Sequence, residues 1–114
     1  EREGHTERIV HQAFSFMSKN CHRPLSLQEV ADHVDLNPSY LSTMFSHYMG
    51  ISFSKCLAEM RLEKAQELLH DHRRRIADVA YAVGFSDPNT FRLAFKRMTG
   101  LSPSDWRLAF GYVA

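Results

Sequence analysis

Two stretches of this chain are copies of one another, and that limits the fold more than any single segment does. VADHVDLNPSYLSTMFSHYMGIS, starting at Val30, aligns with VAYAVGFSDPNTFRLAFKRMTGLS, starting at Val79, once the second copy is allowed one inserted residue in its turn. Val30, Ala31, Val34 and Leu36 pair with Val79, Ala80, Val83 and Phe85. Beyond the insertion, Leu41, Phe45, Gly50, Ile51 and Ser52 pair with Phe91, Phe95, Gly100, Leu101 and Ser102. The 114 residues therefore contain one structural unit used twice, about fifty residues apart.

The second copy shows what the unit is. Ile76, Val79, Ala80 and Val83 fall at i, i+3, i+4 and i+7, an apolar stripe on a helix of about two turns. Gly84 tolerates the positive φ that a sharp reversal needs, and Phe85 packs in the turn. Ser86 or Asp87 can cap the next helix, with Pro88 in its first turn where no donor is required. Phe91, Phe95 and Met98 continue inward, leaving Asn89, Thr90, Arg92, Lys96 and Arg97 to point outward. A short helix, a glycine turn and a second helix with a polar, basic outer face form the helix-turn-helix pattern, whose second helix enters a DNA major groove.

The remaining segments are helical too. Thr6 is the expected cap of a helix running to about Asn20 through Ile9, Val10, Ala13, Phe14, Phe16 and Met17. Ser26-Leu-Gln-Glu29 is a capping-box pattern, and Asn37-Pro38 stops one helix and starts the next. Leu57, Met60, Leu62, Ala65, Leu68 and Leu69 recur at helical spacing over about Phe53 to Leu69, with no proline or glycine between them. Ser102-Pro-Ser-Asp105 opens a last helix through Trp106, Leu108, Ala109 and Phe110. The expected fold is all-α, with about seven helices in two homeodomain-like helix-turn-helix subdomains. The first spans 1–52, with its recognition helix at about 38–49. A linker helix occupies 53–70, and the second subdomain spans 71–114, with its recognition helix at about 87–99.

Composition narrows the function. With 44% hydrophobic residues the chain can pack a core, yet no apolar run approaches the roughly 18–20 residues that cross a bilayer. Cys21 and Cys56 are the only cysteines and form no C-x-x-C, so reduced thiols in a cytoplasmic protein are expected. His70 and His72 are spaced i, i+2 and share no helix face, so no metal site is expected. The Glu59 and Glu63 pair reads as a solvated face, and no catalytic residue or cofactor loop is evident. The chain opens Glu-Arg-Glu, which suggests that an N-terminal effector or dimerisation domain lies outside it.

LSLQEVADHVDLNPSYLSTMFSHYMGISF, then MRLEKAQELL, then IADVAYAVGFSDPNTFRLAFKRMTGLSPSDWR resemble the DNA-binding domain of AraC/XylS-type bacterial transcription regulators over about Ile9 to Arg107. The resemblance rests on A-x-x-V-G-F, an aromatic-x-x-x-F-K-[KR] run, G-x-[ST]-P and a closing aromatic-Arg. It implies sequence-specific binding to double-stranded promoter DNA, as an activator that contacts RNA polymerase. Carried over by position, it makes Ser39, Tyr40, Ser42 and Thr43 base readers of the first recognition helix, and Asn89, Thr90, Arg92 and Leu93 those of the second. His47, Lys96 and Arg97 fall where phosphate contacts are expected. Arg73 and Arg74 are either phosphate contacts or a solvated hinge. Arg61 is either a phosphate contact or the partner of an acid such as Glu29 or Asp78.

Charge separates the two copies. From Ser26 to Gly50 the net charge is −3 with no Lys or Arg, whereas from Arg73 to Gly100 it is +4. Since affinity driven by counterion release scales with the phosphates neutralised, the second copy is expected to carry most of it. The cation-free first copy also leaves open a helical module that binds a protein partner. A linker helix of 17 residues is about 25 Å long, against about 34 Å between successive major grooves. The expectation is a monomer on two adjacent grooves, with modest DNA bending or unequal engagement.

Overall fold

The computed structural model describes residues 2–111, with side chains from Gly4 onward. Seven helices occupy them: α1 (Arg2–Asn20), α2 (Leu27–His33), α3 (Pro38–Met49), α4 (Phe53–Leu69), α5 (Ile76–Ala82), α6 (Pro88–Thr99) and α7 (Pro103–Phe110). They fall into two compact units that divide within α4, between Leu57 and Ala58. Among the described residues no helix is long and apolar enough to cross a membrane.

Local chemistry sets most helix starts. Ser26 Oγ accepts from the Glu29 amide (3.1 Å) and Glu29 Oε1 accepts from the Ser26 amide (3.4 Å), a closed capping box that starts α2. Asn37 Oδ1 accepts from the amides of Ser39 and Tyr40 to start α3. Asp87, rather than Ser86, caps α6 through the Thr90 amide. The repeat extends to its flanks: Ser52 Oγ accepts from the Lys55 amide at α4, and Ser102 Oγ from the Asp105 amide at α7, each at 3.1 Å.

The two turns are built alike, with one difference that matters. The Leu36 amide donates to Ala31 O and the Asp35 amide to Asp32 O; the Phe85 amide donates to Ala80 O and the Gly84 amide to Tyr81 O. Both are complete Schellman closures, which satisfy carbonyls that a helix end leaves open. Gly84 meets the geometry at φ +110°, but Asp35 occupies the equivalent left-handed position at φ +60° with a side chain attached. The first copy therefore carries backbone strain that the second avoids.

In the first unit, Val10, Ala13, Met17, Val30, Ala31, Leu41 and Phe45 are fully buried, and Phe45 meets Phe53 edge to face. In the second, Leu62, Ala65, Leu69, Val79, Ala80, Val83, Phe85, Phe91 and Phe95 form one cluster, with Trp106 half-buried against it. Aromatic rings at 5.4–5.9 Å chain Phe85 to Phe91, Phe95 and Trp106. Complete burial of each large side chain contributes about 1.5–3 kcal/mol, so each recognition helix is fixed by its unit's core, and in the second unit the turn residue Phe85 joins that core while its equivalent Leu36 is only partly buried. Cys21 and Cys56 are buried and form no disulfide.

Three expectations need correction. Helix α1 runs through Thr6 to Arg2, so Thr6 is an interior residue and not a cap. Phe14 is 40% exposed, because Ile9, Val10, Ala13 and Met17 already fill the buried face and Phe14 falls at its edge. Met98, in the last turn of α6, is 37% exposed. The last helix forms as expected; it buries Pro103 and half of Trp106 and leaves Leu108 and Phe110 exposed.

Candidate nucleic-acid interface

With Leu41, Met44 and Phe45 turned into the core, α3 exposes Ser39, Tyr40, Thr43 and His47 to solvent, and Ser42 and Ser46 partly. This surface is made of short hydroxyls around Tyr40, with Tyr48 exposed toward the end of the helix. Thr43 Oγ1 donates back to Ser39 O at 3.1 Å, which leaves that hydroxyl with acceptor capacity only. His47, in the last turn, is its one residue able to become cationic.

Burying Phe91 and Phe95 turns Asn89, Thr90, Arg92, Leu93, Lys96 and Arg97 of α6 outward. Asn89, Arg92, Leu93 and Lys96 fall at i, i+3, i+4 and i+7, a single stripe down the helix. They occupy the same repeat positions as Ser39, Ser42, Thr43 and Ser46. The copies thus present one register of side chains in two chemistries, hydroxyl on α3 and cation-amide on α6. Arg92 Nη2 donates to Asn89 Oδ1 at 3.0 Å, an i, i+3 pair on the exposed face. Thr90 Oγ1 donates to Asp87 Oδ2 at 2.8 Å, so the Thr90 hydroxyl serves the cap and has no hydrogen left for a base. That bond, followed by the Thr90 amide, holds the Asp87 carboxyl below the usual carboxylate range. Lys96 and Arg97 stand in the last turn, where the helix dipole favours cations.

The hinge arginines are less available than their charge suggests. Arg73 Nε bonds Asp71 Oδ1 at 3.0 Å and Arg74 Nε lies 3.7 Å from Asp71 Oδ2. The Arg73 bonds lower the Asp71 pKa, and Asp71 in turn raises that of Arg73. Both guanidiniums thus share a carboxylate, while their remaining donors stay in solvent. Arg61 places its guanidinium 5.9 Å from the Phe85 ring centroid, a cation–π arrangement that braces the turn. Glu29, one of its suggested partners, bonds Arg23 at 3.0 Å.

The closing Arg107 has a role that spacing did not reveal. Its Nε donates to Leu69 O (2.9 Å) and its Nη2 to Asp71 O (3.3 Å), so α7 caps the C-terminal end of α4. His70 Nδ1 and His72 Nε2 lie 3.0 and 3.3 Å from Gly111 O and fasten the far end of α7. The sequence signal is the closing aromatic-Arg pair, Trp106-Arg107, which marks the position without giving its partners.

These are the features of a helix-turn-helix DNA-binding domain in duplicate. A helix-turn-helix domain family model matches residues 30–109, and the chain belongs to that family, the AraC-type DNA-binding domains. It is 30% identical over 103 residues to the melibiose operon regulatory protein of Escherichia coli K12, covering 90% of this chain and 34% of that protein. It is 42% identical over 81 residues to the arabinose operon regulatory protein of the same strain, covering 71% and 28%. The structure of the C-terminal domain of AraT, a response regulator from Geobacillus stearothermophilus, superposes with a TM-score of 0.85 at 34% identity, covering 93% of this chain and 88% of that one. The chain spans about a third of the length of the curated relatives.

Proposed function

We propose that this chain is the promoter-reading module of a bacterial transcription activator, placing α3 and α6 in successive major grooves of one duplex. The observation that carries this reading is the repeat itself. Two turns of identical hydrogen bonding each present an outward helix with its side chains in the same register. Two regulators of sugar operons among the relatives support the same reading. In this proposal Ser39, Tyr40, Ser42 and Thr43 face bases in one groove, and Asn89, Arg92 and Leu93 in the next. Lys96 and Arg97 take phosphates, with His47 in that place on α3 and Arg73 and Arg74 as outer contacts. Thr90 stands beside Asn89, Arg92 and Leu93 with acceptor capacity only, since its hydroxyl hydrogen goes to the Asp87 cap as that of Thr43 goes to Ser39 O. Arg107, a structural clamp, is not among the DNA contacts.

Engagement is unequal in this account. The α6 copy supplies the phosphate charge and the α3 copy adds readout through hydroxyls, so affinity rests mainly on the second unit. Contact with RNA polymerase, action in the cytoplasm and control by a further domain complete the proposal. Titrating a labelled promoter duplex and a scrambled duplex at rising salt tests it. Steep loss of affinity with salt, together with preference for the promoter sequence, is expected. Absence of binding at low salt would overturn it.

A further inference from the structure

We infer that the half-site read by α6 contains a guanine bonded by an Arg92 that Asn89 holds in position, beside a thymine whose methyl group is covered by Leu93. This rests on the DNA-reading function proposed above and specifies its chemistry. Arg92 has only donors, so the Asn89 amide must turn its oxygen to it, as the 3.0 Å Nη2 to Oδ1 bond requires. That bond takes one lone pair of Asn89 Oδ1, the pair's only acceptor atom, and turns that oxygen toward Arg92. What faces outward is mostly donor: the Asn89 NH2 and the remaining N–H groups of Arg92. In the major groove guanine presents two acceptors, N7 and O6, and no donor. Adenine and cytosine each place an amino group there, which a donor-rich pair matches less well than guanine's two acceptors, and thymine offers a single oxygen. Guanine is therefore the base this pair is built to read.

Asn89 is a positioning residue in this scheme. A free arginine on a helix surface samples many rotamers, whereas one tied to the preceding turn meets the base with less entropy to lose. Leu93 supplies the neighbouring specificity. It is 60% exposed and adds little to the core, yet it stands in the stripe between Arg92 and Lys96. An apolar side chain at that place matches the thymine C5 methyl, the one apolar group on the major-groove edge. On α3 the equivalent positions are Ser42 and Thr43, so that copy has no guanidinium to repeat the guanine contact.

Selection of duplexes from a random pool by the 114-residue chain supplies the half-site, and anisotropy titrations with base analogues and variants then test it. In the wild type, replacing the guanine by adenine is expected to weaken binding about 5- to 150-fold. Replacing the thymine by deoxyuridine, which removes only the methyl, is expected to weaken it about fourfold. Asn89→Ala shrinks the guanine preference while leaving the salt slope and the melting temperature unchanged. Asn89→Asp, which keeps an oxygen for Arg92, retains the preference despite weaker affinity. Leu93→Ala abolishes the distinction between thymine and deoxyuridine. An undiminished guanine preference in Asn89→Ala overturns the assignment to Asn89, and an undiminished methyl effect in Leu93→Ala overturns that to Leu93. If the wild type binds no duplex in a salt-dependent manner, the DNA-reading function itself fails, and this inference fails with it.

Discussion

Replacing Lys96 and Arg97 together by alanine is expected to flatten the salt dependence of DNA binding without altering the fold. Both side chains are exposed in the last turn of α6, and neither contributes to the buried cluster that fixes the helix. Each phosphate neutralised adds about 0.9 to the slope of log K against log salt, so removing two cations lowers the slope by about 1.8. Between 50 and 200 mM salt the wild type then loses roughly tenfold more affinity than the variant. Ser42→Ala and Ser46→Ala, the first-copy equivalents of Arg92 and Lys96, remove no charge and leave the slope as it was. Fluorescence anisotropy on a labelled promoter duplex over that salt range measures all of these. Because the two cations also favour the helix C-terminus, circular dichroism melts of each variant accompany the titrations. A Lys96→Ala, Arg97→Ala variant with the wild-type slope would refute the assignment of phosphate contacts to α6.

Three further perturbations test the scaffold. Gly84→Ala forces a Cβ onto φ +110° and is expected to destabilise the chain by about 1–2 kcal/mol, whereas Asp35→Gly relieves φ +60° and should stabilise it by about 0.5 kcal/mol; urea midpoints that move in the reverse sense would count against this account of the turns. Arg107→Ala removes charged donors from Leu69 O and Asp71 O, and because the side chain is half-buried the loss should fall toward the lower end of about 1.5–3 kcal/mol, read by the same method with DNA affinity affected only through folding. Asp87 and Asp71 have folded pKa values below their unfolded ones, so their stabilisation is present above about pH 4 and is lost as pH falls through the lowered values. Thermal melts between pH 2 and 6 should show that loss, and Asp87→Asn, a neutral cap like Asn37, should show less of it.

The sequence made the framework legible because helix starts and turns depend on nearest neighbours. Ser26 with Glu29, Asn37 with Pro38, and Gly84 after Val83 each state a local bond that then forms. The repeat added what no single segment could, the equivalence of α3 with α6. Less legible was anything that depends on where a neighbour ends. Periodicity places Phe14 and Met98 on an inward azimuth, but whether another element covers them is decided by the opposing helices. Asp35 shows the same limit in the backbone, since nothing local announces a left-handed aspartate except its alignment with Gly84. At the site, the outward residues of α6 could be read from spacing, while their pairing could not. That Arg92 bonds Asn89 and Thr90 bonds Asp87 changes which groups remain for a base. The clamp of Arg107 on Leu69 links positions 38 residues apart, beyond the reach of periodic reasoning.

Hydroxyl-radical footprinting of the 114-residue chain on a selected promoter duplex tests the central claim most directly. The account predicts two protected patches on one face of the DNA about one helical turn apart, with the patch weakened by Ser42→Ala showing the shallower salt dependence of the two. A single protected groove, or two patches that fade together and persist in the Lys96→Ala, Arg97→Ala variant, would contradict it.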